Sequence, residues 1–182
     1  MKNYFNELKR AMNMLATHPD TLFLGQAVAS EGTAIRGTLA DVPESKLLEM
    51  PVCEDMQMGM TNGIALSGKI PISIFPRWNF LLLATNQIVN HLENIPKISK
   101  YKTKAIIRTS IGSETPLYPG HQHVGDYTDA FRKMVNKIDI IRLDKTKDVY
   151  PSYLKALNRK DGKSTLLVEW GDGYNEDWEV NA

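Results

Sequence analysis

The chain has 182 residues, of which 42% are hydrophobic and 24% are charged, and its formal net charge is +1. This length suits one α/β domain with a full core, so we expect a single domain over residues 1–182. The balanced charge gives no reason to expect nucleic acid or an anionic membrane as a partner. No apolar run approaches the roughly 20 residues of a membrane-spanning helix. A single cysteine, Cys53, excludes an internal disulfide, and we expect a reducing, cytoplasmic location.

Short apolar strands alternate with helices along the chain. Apolar residues at helical spacing predict a first helix over 3–17, with Asn3 as its cap. The predicted strands are 21–25, 46–52, 69–75, 103–110, 139–143 and 164–170. The later predicted helices are 54–68, 79–95, 127–135 and 146–159, with a loop and weak helix over 29–45 and a helix stop at Pro96. This alternation predicts an α/β fold, an open and mostly parallel sheet with helices on both faces.

The candidate site lies at the carboxyl ends of the strands, where ligands bind in open parallel sheets. These ends are Gly25-Gln26, Val52-Cys53-Glu54, Phe75-Pro76-Arg77-Trp78 and Thr109-Ser110. Glu54 stands out because it lies where a strand ends and a helix begins. On that helix Gly59 and Gly63 lie four residues apart, so a neighbouring backbone can come close. Taken alone, this spacing also fits an acidic residue that only stabilises the helix N-terminus.

Three further segments give the site a family resemblance. The segment PVCEDMQMGMTNGIALSGKIPI (51–72) resembles the surroundings of the catalytic glutamate in the β subunit of pyruvate and branched-chain 2-oxo-acid dehydrogenases. The matching residues are Pro51, Glu54, Gly59, Gly63, Ala65, Gly68, Pro71 and Ile72, followed by Trp78, Phe80, Gln87, Asn90, Arg108 and Gly112. The matches keep their order from about residue 5 to residue 170. The chain thus resembles the pyrimidine-binding domain of transketolase-like thiamine-diphosphate enzymes.

This resemblance implies a cofactor and two kinds of site residue. Thiamine diphosphate would be bound, with Glu54 protonating its aminopyrimidine so that the imino form removes the proton of the thiazolium carbon. An aromatic residue after the next strand would stack on the pyrimidine. Trp78 matches that residue best, and Phe75 and Phe80 are the alternatives. Ordinary core aromatics are the other interpretation of all three.

The loop PGHQHVGDY (119–127) matches the family's loop with an active-site histidine. The dehydrogenase pattern His-Ser-Gln favours His123, whereas the transketolase pattern His-Gln favours His121. A histidine in such a loop can also be merely exposed. We expect one of the two to contact substrate or intermediate, and the sequence leaves open which one. A metal pair is not expected, because other ligands are not near in sequence.

The resemblance also implies a partner chain. The diphosphate-and-magnesium domain is not present, so Mg²⁺ and the diphosphate are expected on an α-like subunit, in a homodimer or a two-plus-two tetramer. Gly171-Asp172-Gly173 copies the start of the family's magnesium motif without its Asn ligands. We expect this subunit to be inactive alone. In complex with its partner it would decarboxylate a 2-oxo acid or transfer an acyl or two-carbon unit from a 2-oxo acid or ketose. The alternative is a non-catalytic pairing or regulatory subunit. Cys53 is expected to be a buried, inert thiol.

Overall fold

The computed structural model of the protein describes residues 3–31, 33–112 and 118–180. The helices in these ranges are α1 (Tyr4–Thr17), α2 (Ala34–Thr38), α3 (Glu54–Leu66), α4 (Trp78–Leu81), α5 (Ile95–Ile98), α6 (Thr128–Met134) and α7 (Thr146–Asn158). The strands are β1 (Thr21–Gly25), β2 (Leu47–Glu49), β3 (Ile70–Ile74), β4 (Ile106–Ile111), β5 (Ile138–Arg142) and β6 (Ser164–Trp170). None of the helices in the described ranges combines the length and apolar character needed to cross a bilayer.

The described strands form one parallel sheet in the order β2-β1-β3-β4-β6-β5. The predicted fold class is therefore confirmed. From β1 the chain continues to β2 on one side, and from β3 it continues to β4 on the other. A crevice forms at the carboxyl ends of β1 and β3, where the direction of the strand order reverses. At this place β1 ends in Gly25, because a Cβ there would lie 2.2 Å from the carbonyl oxygen of Ile74.

The sheet separates two hydrophobic cores. One core lies under α1, α2 and α7, and the other lies under α3, α4 and α6. All five residues of β3 are buried, as expected for a strand that is covered on both faces. Helix α1 shows how the sequence sets this layering: Asn3 accepts a 2.8 Å hydrogen bond from the Asn6 backbone N–H, as predicted for its cap. Leu8 and Leu15 on its inner face are fully buried.

The segment predicted as one helix over 79–95 is wound in several ways. Helix α4 passes into a 3₁₀ turn (Leu82–Ala84) and then into a π-helical turn (Gln87–Leu92). The Asn62 side chain of α3 donates to the carbonyl oxygen of Gln87 at 3.1 Å. This bond occupies the carbonyl group of the first residue of the π-helical turn. Pro96 does not act as a stop, because it lies in the first turn of the separate helix α5.

The other differences from the predicted bounds of helices and strands are smaller. Strand β2 covers Leu47–Glu49 and not 46–52, because its only partner in the sheet, β1, ends opposite Glu49. A 3₁₀ turn (Glu44–Lys46) precedes it, and the weak helix predicted within 29–45 is α2. Strand β4 begins at Ile106 and not at residue 103. The remaining helices and strands lie within two residues of prediction.

A buried ion pair joins the neighbouring strands β4 and β6. Arg108 and Glu169 are each 1% exposed and meet through two hydrogen bonds, Nε to Oε1 at 2.5 Å and Nη2 to Oε2 at 3.0 Å. Arg108 also donates to Thr38 of α2 at 2.8 Å. The Tyr153 hydroxyl of α7 and the Tyr174 hydroxyl each donate to Glu169 at 2.5 Å. Burial and the charge of Glu169 raise the pKa of both tyrosines, so both stay protonated donors.

We predict that Arg108→Met lowers the free energy of unfolding by about 3–5 kcal/mol, because Glu169 is left buried without its counter-charge. The matched control is Arg132→Met, which removes a half-exposed arginine paired with Asp129 and should cost less than about 1 kcal/mol. Urea unfolding followed by circular dichroism measures both. The double change Arg108→Met with Glu169→Leu should recover much of the loss. Equal losses for the two single variants would contradict this role of the pair.

Candidate functional site

Glu54 is the first residue of α3 and directly follows the loop that leaves β2. Its side chain is 4% exposed, although it lies at the end of the sheet where loops meet solvent. The Gln26 amide donates to Glu54 Oε1 at 3.0 Å. Within the described part of the chain, the carboxylate has no other side-chain partner. The result is a nearly enclosed carboxylate with one oxygen left for a ligand.

Glu49 positions the loop that holds Gln26. The Glu49 carboxylate, at the end of β2, accepts hydrogen bonds from the backbone N–H groups of Ala27 at 2.6 Å, Ala29 at 2.7 Å and Ser30 at 3.2 Å. Ala27 has a φ of 57°, a left-handed conformation that these bonds help to hold. Burial raises the pKa of Glu49, but the backbone donors outweigh it and the net shift is downward. Sequence reasoning missed Glu49; its only signal is an acidic residue that ends a strand.

The three aromatic candidates lie in different surroundings. Trp78 is fully buried, with its ring centroid 4.8 Å from that of Phe131 and 6.4 Å from that of Tyr127. Phe75 is 1% exposed within the same core. Phe80 is half-buried, and its ring lies 5.4 Å from the His123 ring. Of the three, Phe80 therefore has the ring that a ligand can reach most readily within this chain.

The two histidines also differ. The exposed His121 lies with Nδ1 2.7 Å from the Tyr118 hydroxyl. His123 is half-buried against Phe80, and its buried Nδ1 has no hydrogen-bond partner among the described residues. Geometry thus brings His123, and not His121, next to the reachable aromatic ring.

Arg77 is a second residue to which the sequence pattern assigns no role beyond its place at the end of a strand. It precedes α4 and donates through Nη1 to the carbonyl oxygen of His123 at 3.1 Å and to that of Gly112. It therefore links the end of β4 to the histidine loop. The sequence signal was a lone cation among the aromatic residues that follow β3.

Cys53 was expected to be buried, and this expectation is wrong. The thiol is exposed, because Cys53 lies on the loop before α3 and its neighbours Pro51 and Val52 are exposed too. Gly171-Asp172-Gly173 lies in a 3₁₀ turn (Gly171–Asn175) that follows β6. Among residues 3–31, 33–112 and 118–180, no group of three or more His, Cys, Asp or Glu residues could hold a metal ion.

Comparison with known proteins identifies the domain. The family of the transketolase pyrimidine-binding domain matches residues 3–170. The chain belongs to this family. No curated protein sequence matches it. The transketolase pyrimidine-binding domain is a thiamine-diphosphate domain, so the cofactor implied by the sequence agrees with the family.

Solved structures share the fold at low sequence identity. A split-gene transketolase, described as an inactive β4 tetramer, has a TM-score of 0.71 and 15% identity over 99% of this chain and 53% of its own. Transketolase from Campylobacter jejuni subsp. jejuni has a TM-score of 0.74 and 14% identity over 99% of this chain and 27% of its own. A Mycobacterium smegmatis protein described as thiamin diphosphate-dependent has a TM-score of 0.63 and 14% identity, over 100% and 33%. The chain thus spans from about a quarter to about half of these proteins.

The residues present fit one end of thiamine diphosphate. The buried Glu54 carboxylate has an oxygen free for a ring nitrogen, and Phe80 offers an aromatic face. The diphosphate end needs a magnesium ion and its ligands, and the described residues contain no cluster of that kind. Glu54 and Phe80 are the residues that would hold the pyrimidine end of the cofactor.

Proposed function

We propose that this chain is the pyrimidine-binding subunit of a split thiamine-diphosphate-dependent enzyme. The observation that supports this most is Glu54, a carboxylate only 4% exposed at the carboxyl edge of the sheet, with one oxygen unpartnered in the described residues. A buried carboxylate is costly unless it is used or paired. When bound, the cofactor supplies a nucleophilic carbon that forms after its thiazolium ring loses a proton.

Each site residue has a role in this proposal. Glu54 protonates a ring nitrogen of the pyrimidine, and Gln26 fixes the orientation of that carboxylate through its 3.0 Å hydrogen bond. Phe80 would hold the pyrimidine through its aromatic face, while Trp78 packs in the core beneath α4. His123 contacts the substrate or intermediate, and His121 lies outside this contact.

The magnesium ion and the diphosphate belong to an α-like partner chain in the proposal. The described residues offer no metal cluster, and the chain matches only half of a split-gene transketolase chain whose β4 tetramer is described as inactive. By analogy, this subunit is inactive alone. The complex decarboxylates a 2-oxo acid or transfers an acyl or two-carbon unit from a 2-oxo acid or ketose, in the cytoplasm.

A non-catalytic pairing or regulatory subunit is the alternative function. Such a subunit would need no carboxylate at the start of α3. The arrangement of Glu49, Gln26 and Glu54, in which one acidic residue holds the loop that orients another, favours the catalytic role.

An apolar surface beside Glu54 is the proposed interface. Met56 and Met60 on α3 are 41% and 38% exposed, and Val52 and Leu83 nearby are 79% and 64% exposed. A Cβ at Gly63, on the same helix, would meet nothing within 4 Å. The surface is open to close approach by a second chain.

We predict that the chain forms at least a homodimer and a two-plus-two tetramer with its partner. Light scattering gives the mass, and the exposed Cys53 reports on the surface, because its reaction with a thiol reagent should be rapid in the chain alone and slow in the complex. Met60→Glu should weaken assembly by placing a charge in the interface, whereas Met134→Glu, on α6, should not. A monodisperse monomer that stays monomeric with the partner would contradict the proposal.

We predict that the chain alone binds thiamine diphosphate weakly and that the complex binds it tightly in a magnesium-dependent way. The physical reason is that the diphosphate and its ion carry most of the charge of the cofactor. Isothermal titration calorimetry with and without Mg²⁺ measures this. Tight, magnesium-dependent binding to the chain alone would place the diphosphate site here, at Gly171-Asp172-Gly173.

We predict that Glu54→Gln slows cofactor activation about a hundredfold to ten-thousandfold, because the amide keeps the shape of the side chain but cannot supply a proton. The measurement is hydrogen–deuterium exchange at the reactive thiazolium carbon in the reconstituted complex. Asp55→Asn, one residue further along α3, is the matched control and should change the rate little. Equal rates for wild type and Glu54→Gln would remove Glu54 from the mechanism and favour the regulatory alternative.

A further inference from the structure

A pocket of about 300 Å³ opens at the carboxyl edge of the sheet beside Arg77. It lies on the face of the sheet covered by α1 and α2, and the 3₁₀ turn that follows β6 (Gly171–Asn175) forms one wall. Its lining includes Phe5, Ile35, Arg77, Ser110, Tyr174 and Asn175. This volume corresponds to roughly ten water molecules and lies at the lower end of small-molecule sites. The pocket can therefore hold a small organic ion but not a peptide.

Arg77 is the only basic side chain among the described residues that line this pocket. Five other arginines form ion pairs with carboxylates: Arg10, Arg108, Arg132, Arg142 and Arg159. The described part of the chain places no carboxylate within ion-pair distance of Arg77. Burial lowers the pKa of the Arg77 guanidinium, and the nearby charge of Asp172 offsets this shift only in part. A partly desolvated cation of this kind gains from an anion brought into the pocket.

The same side chain connects the pocket to the candidate active site. Arg77 donates to the carbonyl oxygen of His123, and the His123 ring lies 5.4 Å from that of Phe80. An anion held at Arg77 would thus lie at the base of the loop that carries His123. The pocket and the histidine loop therefore share Arg77 as a common boundary.

We propose that Arg77 and its pocket bind the anionic group of the substrate, a carboxylate or a phosphate. The identification of the bound anion as part of the substrate rests on the proposed function. The anion site itself does not require the cofactor. In this arrangement Arg77 determines specificity, because neutral analogues lack the charge that it would bind. A purely structural Arg77 would only tie the histidine loop to β4.

The test is a nuclear magnetic resonance titration of the full chain with inorganic phosphate and, separately, with acetate. We expect shift changes at the lining residues with a Kd of roughly 1 mM or weaker, and a loss of about tenfold or more in Arg77→Gln. Arg132→Gln, which removes an exposed arginine on α6, should bind like wild type. Stronger binding of phosphate would identify a phosphorylated substrate, and stronger binding of acetate would identify a carboxylate. Absence of binding by both ions, or binding that persists in Arg77→Gln, would overturn the proposal.

A second variant covers the case in which Arg77→Gln does not fold. Asn175 is exposed and lines the pocket, so Asn175→Phe should fill it while Arg77 and its backbone contacts remain. This variant should lose the anion-dependent shifts, and shifts that persist in it would overturn the pocket as the site. Because neither ion requires the cofactor, the result is independent of Glu54. Failure of the Glu54→Gln prediction would overturn the proposed function and leave the anion site standing.

Discussion

The structure depends most on the buried ion pair between Arg108, in the middle of β4, and Glu169, near the end of β6. Its two side chains join β4 to β6, and their further bonds reach α2, α7 and the turn after β6. A buried pair of this kind contributes little net stability over apolar residues, but its geometry must be satisfied in full. The network therefore fixes where Tyr174 and the neighbouring turn lie. The pocket beside Arg77 has a defined wall because of it.

Much of the fold could be predicted because its information is local. The buried strands β1 and β6 were predicted to the residue, since each is a short apolar run bounded by turn residues. The prediction over 79–95 was wrong in detail, since the winding changes at Gln87, where Asn62, distant in sequence, donates to the backbone carbonyl. The exposure of Cys53 could not be read from its neighbours in sequence either. Such features depend on tertiary contacts, which a periodic pattern does not contain.

The candidate site divides in the same way. Glu54 could be named from sequence because the segment around it, from a strand end to a helix start, resembles the segment of the family's catalytic glutamate. Glu49 and Arg77 could not, because their partners are backbone groups on loops that only the fold brings near. The sequence left His121 and His123 open, and the structure separates them by the position of Phe80. Residues that act through backbone contacts are thus the ones that sequence reasoning misses.

The amide of Gln26 sets the charge at the contact with Glu54. Gln26 is the first residue after β1. Its amide lies 3.0 Å from Glu54 Oε1, a distance at which a second carboxylate would repel unless a proton were shared. An amide removes that repulsion and leaves Glu54 as the single acidic group at this contact.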